Sequence, residues 1–225
     1  MPRRAAAARS SGGAGTASAP ARPRRRDAEV LDAAADIFYE RGYASATVQD
    51  VADGLGMLKG SLYYYIESKE DLLYRLMSEI HDGVDEVLAE VIASDDLTAI
   101  QKLDLYVRSQ VQYNVRNLKK ISVYYHDLDQ LTGARLKEIV SRRRKHEDQV
   151  VALIVQAQAD GDADPTLDAK LLSNCVFGTI IWIYRWYRPG RGVSAEQLSE
   201  TCARFALHGL GVAKPPVSKR AKKTR

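Results

Sequence analysis

The side chains best suited to chemistry lie in one short segment that combines hydroxyls, a cation and small residues. Residues 47–66 read TVQDVADGLGMLKGSLYYYI, with apolar residues at helical spacing on both sides of a Gly-containing turn. On a wheel of 100° per residue, the outward side of the second helix holds Gly60, Tyr63 and Tyr64, flanked by Lys59 and Ser61. Hydroxyls and an ammonium ion suit phosphate oxygens and base edges, and a glycine allows close approach of a nucleic-acid backbone.

This arrangement predicts a helix-turn-helix over residues 47–66, whose second helix enters the major groove of DNA while the first crosses the backbone. The wheel places the remaining large side chains on the inward side: Leu58, Leu62, Tyr65 and Ile66. Two short helices around a glycine turn also occur in helical proteins that do not bind DNA, so the pattern by itself leaves both interpretations open.

Charge is distributed unevenly along the 225 residues. Residues 1–26 contain seven Arg and residues 214–225 six Lys or Arg, with no acidic residue in either segment, whereas residues 27–213 have 20 basic and 29 acidic side chains. The candidate DNA-binding segment 27–72 has only three basic residues against ten acidic ones, which opposes binding to phosphate. The cluster Arg22, Arg24, Arg25 and Arg26 is positioned to compensate by following a phosphate backbone or entering a minor groove.

The elements that position these residues are predicted to be helices throughout. Segments with apolar residues at i, i+3, i+4 and i+7 cover residues 27–41, 48–55, 58–65, 69 onward, 100–116, 119–128, 134–159, 167–187 and 194–210. Thr47, Ser68 and Ser194 are candidate N-caps, and Gly42 a helix end. Residues 1–26 and 213–225 are expected to be disordered arms, because they lack the apolar residues that would offset ordering entropy. The predicted fold class is all-α.

The composition excludes several classes of protein. Hydrophobic residues make up 45% of the chain, and no apolar run approaches the roughly 18 residues of a membrane span. Cys175 and Cys202 lack CxxC spacing, and the start lacks the apolar core of a secretory signal, so a cytoplasmic protein without a membrane partner is expected. The four histidines show no metal-ligand spacing, and no phosphate loop or nucleophile motif is present. We therefore expect no enzymatic activity, no metal and no cofactor.

The segment GYASATVQDVADGLGMLKGSLYYYIESKEDLL resembles the N-terminal module of the TetR family of bacterial transcriptional regulators, without gaps over residues 28–75. The resemblance implies a three-helix DNA-binding module at residues 27–75 and a helical ligand-binding and dimerisation domain at residues 76–212. The candidate DNA contacts are Arg24, Arg25, Arg26, Thr47, Gln49, Lys59, Gly60, Ser61, Tyr63, Tyr64, Tyr65 and Lys69. Among them, Thr47 and Lys69 match the family's phosphate contacts. Tyr65 replaces a frequent His and Ile66 a frequent Phe, and the wheel turns Tyr65 inward.

The second half has one local resemblance, FGTIIWIYRWYRPG at residues 177–190. It is similar to the penultimate helix and following turn of TetR-type repressors that respond to fatty-acyl or steroid-derived acyl-CoA thioesters. Apolar cavities with a few hydroxyls suit such ligands, and the candidate lining residues are Tyr106, Tyr113, Tyr124, Phe177, Ile181, Trp182 and Arg185. Arg185 either meets an anionic group or pairs with an acid at a dimer interface. The run Arg142–Lys145 is either a solvated face with salt bridges or an attractor for CoA phosphates.

The resemblance implies a homodimeric regulator, most commonly a repressor, that binds a palindromic double-stranded DNA operator and is released by a small hydrophobic effector, with an acyl-CoA thioester as the suggested class. Activation instead of repression stays open. The alternative is a nucleoid-type protein that binds DNA through its basic arms without reading sequence. Preference for one palindrome distinguishes the regulator from this alternative.

Overall fold

A computed structural model describes the backbone of residues 22–211 and the side chains of residues 26–211. The predicted disorder of residues 1–21 and 213–225 lies outside these residues, as do the side chains of Arg24 and Arg25. Within the described part there are ten α-helices and no strand, so the all-α prediction is confirmed. The helices are α1 (Arg22–Arg41), α2 (Val48–Gly54), α3 (Lys59–Leu62), α4 (Lys69–Ile92), α5 (Ala99–Arg116), α6 (Leu118–Asp127), α7 (Gly133–Ala159), α8 (Ala169–Ile181), α9 (Ile183–Trp186) and α10 (Ala195–Gly209).

The first helix begins at Arg22, so the prediction of disorder for residues 22–26 is wrong. Two features explain the earlier start. Pro23 occupies the first turn, where its missing N–H has no intrahelical partner to lose. One turn further on, Arg26 donates a 2.8 Å hydrogen bond to Glu29 at i+3, which supports the helix locally.

The predicted helix termini are confirmed by their capping contacts. Gly42 adopts φ +76° and its N–H donates to the Phe38 carbonyl oxygen, which ends α1. The Ser68 hydroxyl accepts from the Asp71 N–H at 3.0 Å at the start of α4. At α10, Ser194 and Gln197 form a reciprocal capping box.

Two apolar cores fill the molecule, and α4 belongs to both. The first core joins the inward faces of α1, α2 and α3 to the start of α4 and to α6, with Phe38, Leu62 and Leu73 among its fully buried side chains. The second joins the end of α4 to α5, α7, α8 and α10. Because α4 has 24 residues, it extends for about 36 Å. A displacement of one end of α4 is therefore passed to the other core.

The segment predicted as one helix over residues 167–187 is divided into α8 and α9 at Trp182. At this division a backbone hydrogen bond spans three residues instead of the four of an α-helix: the Arg185 N–H donates to the Trp182 carbonyl oxygen. The predicted turn at residues 188–192 is present, with Gly190 and Gly192 both at positive φ.

Among residues 22–211, no helix has the length and hydropathy needed to cross a membrane.

Candidate functional site

The helix-turn-helix is built by α2, a glycine turn and α3. Val48, Val51 and Ala52 of α2 are buried against the first core, which fixes the orientation of this helix. Gly56 adopts φ +63° in the turn, a conformation that a residue with a Cβ rarely accepts. At the start of α2, the Thr47 hydroxyl accepts from the Asp50 N–H at 3.1 Å and donates to the Asp50 carboxylate at 2.7 Å.

The second helix of the motif is shorter than predicted. Only Lys59–Leu62 is helical, followed by a turn over residues 63–65. The expectation that Leu58 faces inward is wrong, because its side chain is 80% exposed. Leu58 is the N-cap residue with extended backbone (φ −70°, ψ 141°), so a helical wheel does not describe its direction.

The outward face otherwise has the predicted composition. Lys59 and Gly60 are exposed, Tyr63 is about half exposed, and Tyr64 is 89% exposed. Tyr65 is partly buried and packs against the first core, in agreement with the inward direction given by the wheel. Ser61 is half-buried at the edge of this surface. One protruding surface therefore carries the Tyr64 hydroxyl, the Lys59 ammonium ion and the backbone of Gly60, which has no side chain to cover it.

The predicted contacts on α2 are exposed but already have partners within the helix. Gln49 donates from Nε2 to Asp53 at 2.7 Å, and Asp50 accepts from Arg41. The Asp50 pKa lies below its ordinary value, chiefly because the Thr47 hydroxyl and N–H donate to its carboxylate, with a smaller contribution from Arg41. A nucleic-acid partner would meet Thr47 at the first turn of α2, where backbone N–H groups favour anions.

Lys69 does not point outward as its predicted phosphate role requires. Its Nζ donates to the carbonyl oxygens of Tyr43 at 2.7 Å and Ala46 at 2.8 Å. The same ammonium ion lies 4.3 Å from the centre of the Tyr43 ring. These contacts fasten the loop between α1 and α2 to the start of α4, so Lys69 positions the helix-turn-helix from within the protein.

A narrow cavity lies among α4, α5, α6, α7 and α8. Its free volume is about 50 Å³, and it is partly open to solvent. Its walls are mainly aliphatic and aromatic, and Arg143 and Glu147, joined by a 2.8 Å hydrogen bond, also line it. Ligand sites of this kind are apolar with a few placed polar groups. The other lining residues are Ile80, His81, Val84, Tyr106, Gln110, Asn114, Ile121, Tyr124, Tyr125, His146, Phe177, Ile180 and Ile181.

Four of the seven predicted pocket residues line this cavity and three do not. Tyr106, Tyr124, Phe177 and Ile181 are brought together there. Tyr113 instead packs against Gly83 of α4, where any added Cβ would collide with the Tyr113 ring. Trp182 and Arg185 are exposed at the junction of α8 and α9. Their helix is divided there, so the periodicity assumed for residues 167–187 does not hold.

Sequence reasoning predicted two tyrosines of the cavity but did not place His81 and His146 there. His81 Nε2 lies 3.0 Å from the Tyr124 hydroxyl, and His146 Nε2 lies 2.9 Å from the Tyr106 hydroxyl. Burial lowers the pKa of His81 to about 4, helped by the nearby Arg142 charge. Burial also lowers the pKa of His146, against the opposing effect of its hydrogen bond with Asp85. Both rings are therefore neutral at pH 7. The available signal was their position on the inward faces of amphipathic helices.

The cavity is connected to α4 by charged contacts. Asp85 of α4 lies 3.1 Å from His146 Nδ1 and 3.1 Å from Arg142 Nη2, and Arg142 also pairs with Asp82 at 2.7 Å. Of the basic run at residues 142–145, Arg142 and Arg143 thus form ion pairs, while Arg144 and Lys145 are exposed. His146 thus contacts α4 directly, and Tyr106 is linked to α4 through His146.

An exposed face with apolar side chains runs along α8 and α10. Leu171 is 65% exposed, and its stripe continues at i+4, i+7 and i+11 through Cys175, Gly178 and Trp182. On α10, Phe205 is 68% exposed beside Thr201 and His208, which are also exposed. Exposed apolar side chains therefore occur on both α8 and α10, as they do on surfaces that bind other proteins. Among residues 22–211, no group of His, Cys, Asp or Glu is arranged to hold a metal ion.

Comparison with known proteins connects this geometry to characterised regulators. Residues 30–76 match the family model "Bacterial regulatory proteins, tetR family", and residues 96–210 match "Tetracyclin repressor-like, C-terminal domain". The chain is 28% identical to the HTH-type transcriptional repressor KstR2 of Mycolicibacterium smegmatis, over 85% of this chain and 93% of that protein. The structure of the ketosteroid transcriptional regulator KstR2 of Mycobacterium tuberculosis aligns with a TM-score of 0.77 at 27% identity, covering 82% of this chain and 94% of that one. AibR, solved in complex with isovaleryl coenzyme A and operator DNA, aligns with a TM-score of 0.73 at 27% identity, covering 80% and 97%.

Proposed function

Since the chain belongs to the TetR family of bacterial transcriptional regulators, we propose that it is a homodimeric repressor whose operator binding is released by a hydrophobic effector in the cavity between α4 and α8. The observation behind this proposal is the course of α4, which begins beside the helix-turn-helix and continues along the cavity. One rigid element thus reaches both the DNA-binding surface and the effector site.

The proposed DNA contacts are the exposed residues of α3 and the start of α2. Lys59, the Gly60 backbone and Thr47 face phosphates, whereas the protruding Tyr64 reads base edges. The basic residues at positions 1–26, which include the first turn of α1, supply the positive charge that segment 27–72 lacks. In a dimer, the two copies of α3 enter successive major grooves about 34–36 Å apart, which requires a palindromic operator.

The proposed dimer interface is the exposed face of α8 and α10. Leu171, Trp182 and Phe205 give it an apolar centre, and the polar side chains of α10 form a rim. A twofold axis between these helices joins the faces of two copies. The DNA-binding modules are then held at a spacing that depends on the position of α4 in each subunit.

The proposed effector class is an acyl-CoA thioester. Two observations support it: the apolar walls of the cavity around Phe177 and Ile181, and exposed basic residues at positions 144 and 145 near the cavity residue Arg143. AibR is similar in fold and was solved with isovaleryl coenzyme A. A thioester that prefers the released state about 100-fold supplies about 2.7 kcal/mol towards release.

Selection of bound sequences from a random DNA pool at physiological salt tests the DNA-binding part of this proposal. We expect one palindrome to be enriched. The nucleoid-type alternative gives no enriched sequence, steep salt dependence, and loss of DNA binding when the basic arms at residues 1–26 and 213–225 are removed. A selective protein retains its preference for the palindrome after this truncation, although its affinity falls.

A further inference from the structure

Two buried acceptor oxygens in the cavity indicate which chemical group the effector presents there. Gln110 is 4% exposed, lines the cavity, and its Oε1 has no hydrogen-bond partner. A buried acceptor without a donor is costly, by more than a typical hydrogen bond contributes when it is formed. The orientation of the amide therefore matters, since the oxygen and nitrogen of a glutamine place opposite demands on a ligand.

The orientation of the Gln110 amide is set by a chain of contacts that ends at a backbone carbonyl. Asn114 Nδ2 donates to the Ile180 carbonyl oxygen at 3.3 Å, and a carbonyl oxygen can only accept. Asn114 Oδ1 therefore faces Gln110 and accepts from Gln110 Nε2 at 2.9 Å. The remaining atom of the amide, Oε1, is therefore a buried acceptor without a donor, on a residue that lines the cavity.

The Tyr106 hydroxyl, one turn earlier on α5, is also left as an acceptor. Asp85 is ion-paired with Arg142 and can only accept, so the proton of His146 lies on Nδ1. Burial keeps the pKa of His146 below its ordinary value, so Nε2 has no proton and accepts from the Tyr106 hydroxyl. Burial also holds the pKa of Tyr106 well above 10, so the phenol stays protonated. Its proton is committed to His146, and only its oxygen lone pairs remain for a ligand.

His81 does not impose the same demand. Its ring is neutral and bonded to Tyr124 through Nε2, while Nδ1 has no partner. Because the Tyr124 hydroxyl is able to donate or accept, His81 Nδ1 is able to take either role. The fixed requirement of the cavity comes from Gln110 and Tyr106, and it is for a hydrogen-bond donor.

We infer that the effector carries a hydroxyl group on the part that enters this cavity, and that Gln110 selects for it. A cationic donor is disfavoured, because the carboxylate in the cavity lining, Glu147, is already paired with Arg143, and the remaining walls are largely apolar. A keto or thioester oxygen only accepts, so it leaves Gln110 Oε1 without a donor. This inference rests on the proposed effector role of the cavity and adds a requirement to it.

The test compares cyclohexanol with cyclohexanone, a ring of the same size that lacks a donor, by ligand-observed NMR titration of the full chain. We expect the alcohol to bind the wild-type protein about tenfold more tightly than the ketone. Gln110→Met keeps the side-chain length and removes the acceptor, so it should abolish this preference. The control Gln112→Met, outside the cavity lining on the same helix, should retain it.

A wild-type protein that does not prefer the alcohol overturns the inference, even where Gln110→Met fails to fold. A preference that survives in folded Gln110→Met also overturns it, since another group then meets the hydroxyl. Operator binding and release by acyl-CoA thioesters are measured separately on the same wild-type preparation. If these persist while the hydroxyl preference is absent, the further inference fails and the proposed function stands.

Discussion

The Nζ atom of Lys69 lies 4.3 Å from the centre of the Tyr43 ring and 2.7 Å from the Tyr43 carbonyl oxygen, to which it donates. This contact joins the first residue of α4 to the loop that leads into the helix-turn-helix. A displacement of α4 therefore moves the support of the DNA-binding surface directly. These contacts hold the Lys69 ammonium ion against the loop before α2, whereas the family resemblance predicts a phosphate contact for Lys69.

Lys69→Met should lower the free energy of unfolding by about 1–3 kcal/mol, because it removes a charged donor that serves several carbonyl oxygens. Lys59→Met is the matched control: Lys59 is exposed, so its loss should change stability by less than about 0.5 kcal/mol. Urea unfolding followed by circular dichroism measures both. An unchanged midpoint for Lys69→Met, with a reduced salt dependence of operator binding, would return Lys69 to the role of phosphate contact.

Tyr64→Ala should reduce the preference for the operator over random DNA by about 1–3 kcal/mol, because the 89% exposed side chain is placed to read base edges. Fluorescence anisotropy with operator and scrambled duplexes measures the two affinities. Tyr39→Ala, which removes an exposed tyrosine from α1, should leave the preference unchanged. Equal losses on both duplexes would reassign Tyr64 to the DNA backbone.

Phe205→Glu should convert the dimer to a monomer at micromolar concentration, because it places a charge in the apolar centre of the proposed α8 and α10 interface. Val140→Glu puts the same charge on an exposed position of α7 and should remain dimeric. Sedimentation velocity distinguishes the two states. A dimeric Phe205→Glu protein would place the interface on another surface.

The buried His81 should make the protein less stable at acid pH. Its pKa is about 4 in the folded state against 6.5 ordinarily, so above pH 6.5 the ring is neutral in both states and imposes no penalty. Between pH 6.5 and about 4 the unfolded chain takes up a proton that the folded chain does not. The free energy of unfolding therefore decreases as the pH is lowered through this range. The loss is up to about 1.4 kcal/mol per pH unit and about 3 kcal/mol in total.

His81→Gln removes this contribution, so its stability relative to the wild type should improve as the pH is lowered from 7 to 4.5. His126→Gln, at an exposed position of α6 and outside the proposed interface of α8 and α10, should follow the wild type across the range. Chemical unfolding at a series of pH values gives the difference. A difference in unfolding free energy between the wild type and His81→Gln that does not change with pH would contradict the lowered pKa of His81.

Local signals in the sequence were sufficient for most of the helical framework. Gly42, Ser68 and the Ser194 to Gln197 capping box act within one turn of their own position, so spacing alone located these ends. The beginning of α1 was missed because composition suggested disorder, whereas Pro23 and the Arg26 to Glu29 contact favour a helix there. The direction of Leu58 was missed because it lies just before the helix, where a wheel does not apply.

The parts of the site that sequence could not provide depend on distant contacts. The partners of Lys69 are carbonyl oxygens 23 to 26 residues earlier in the chain, and carbonyl groups have no sequence signature. The cavity brings His81 within 3.0 Å of Tyr124, 43 residues later. Tyr113 was assigned to the cavity as one aromatic residue among several, and only the packed structure places it against Gly83.

We propose that one protein both reads an operator and releases it when the cavity is filled. The most direct measurement is fluorescence anisotropy of the labelled operator, with the dimer bound at physiological salt, during titration with acyl-CoA thioesters and with the corresponding free acids. We expect release by a thioester at concentrations that leave binding to random DNA unchanged, with much weaker release by the acids. An operator complex that no thioester releases, or one dissolved equally by thioester and acid, would contradict it.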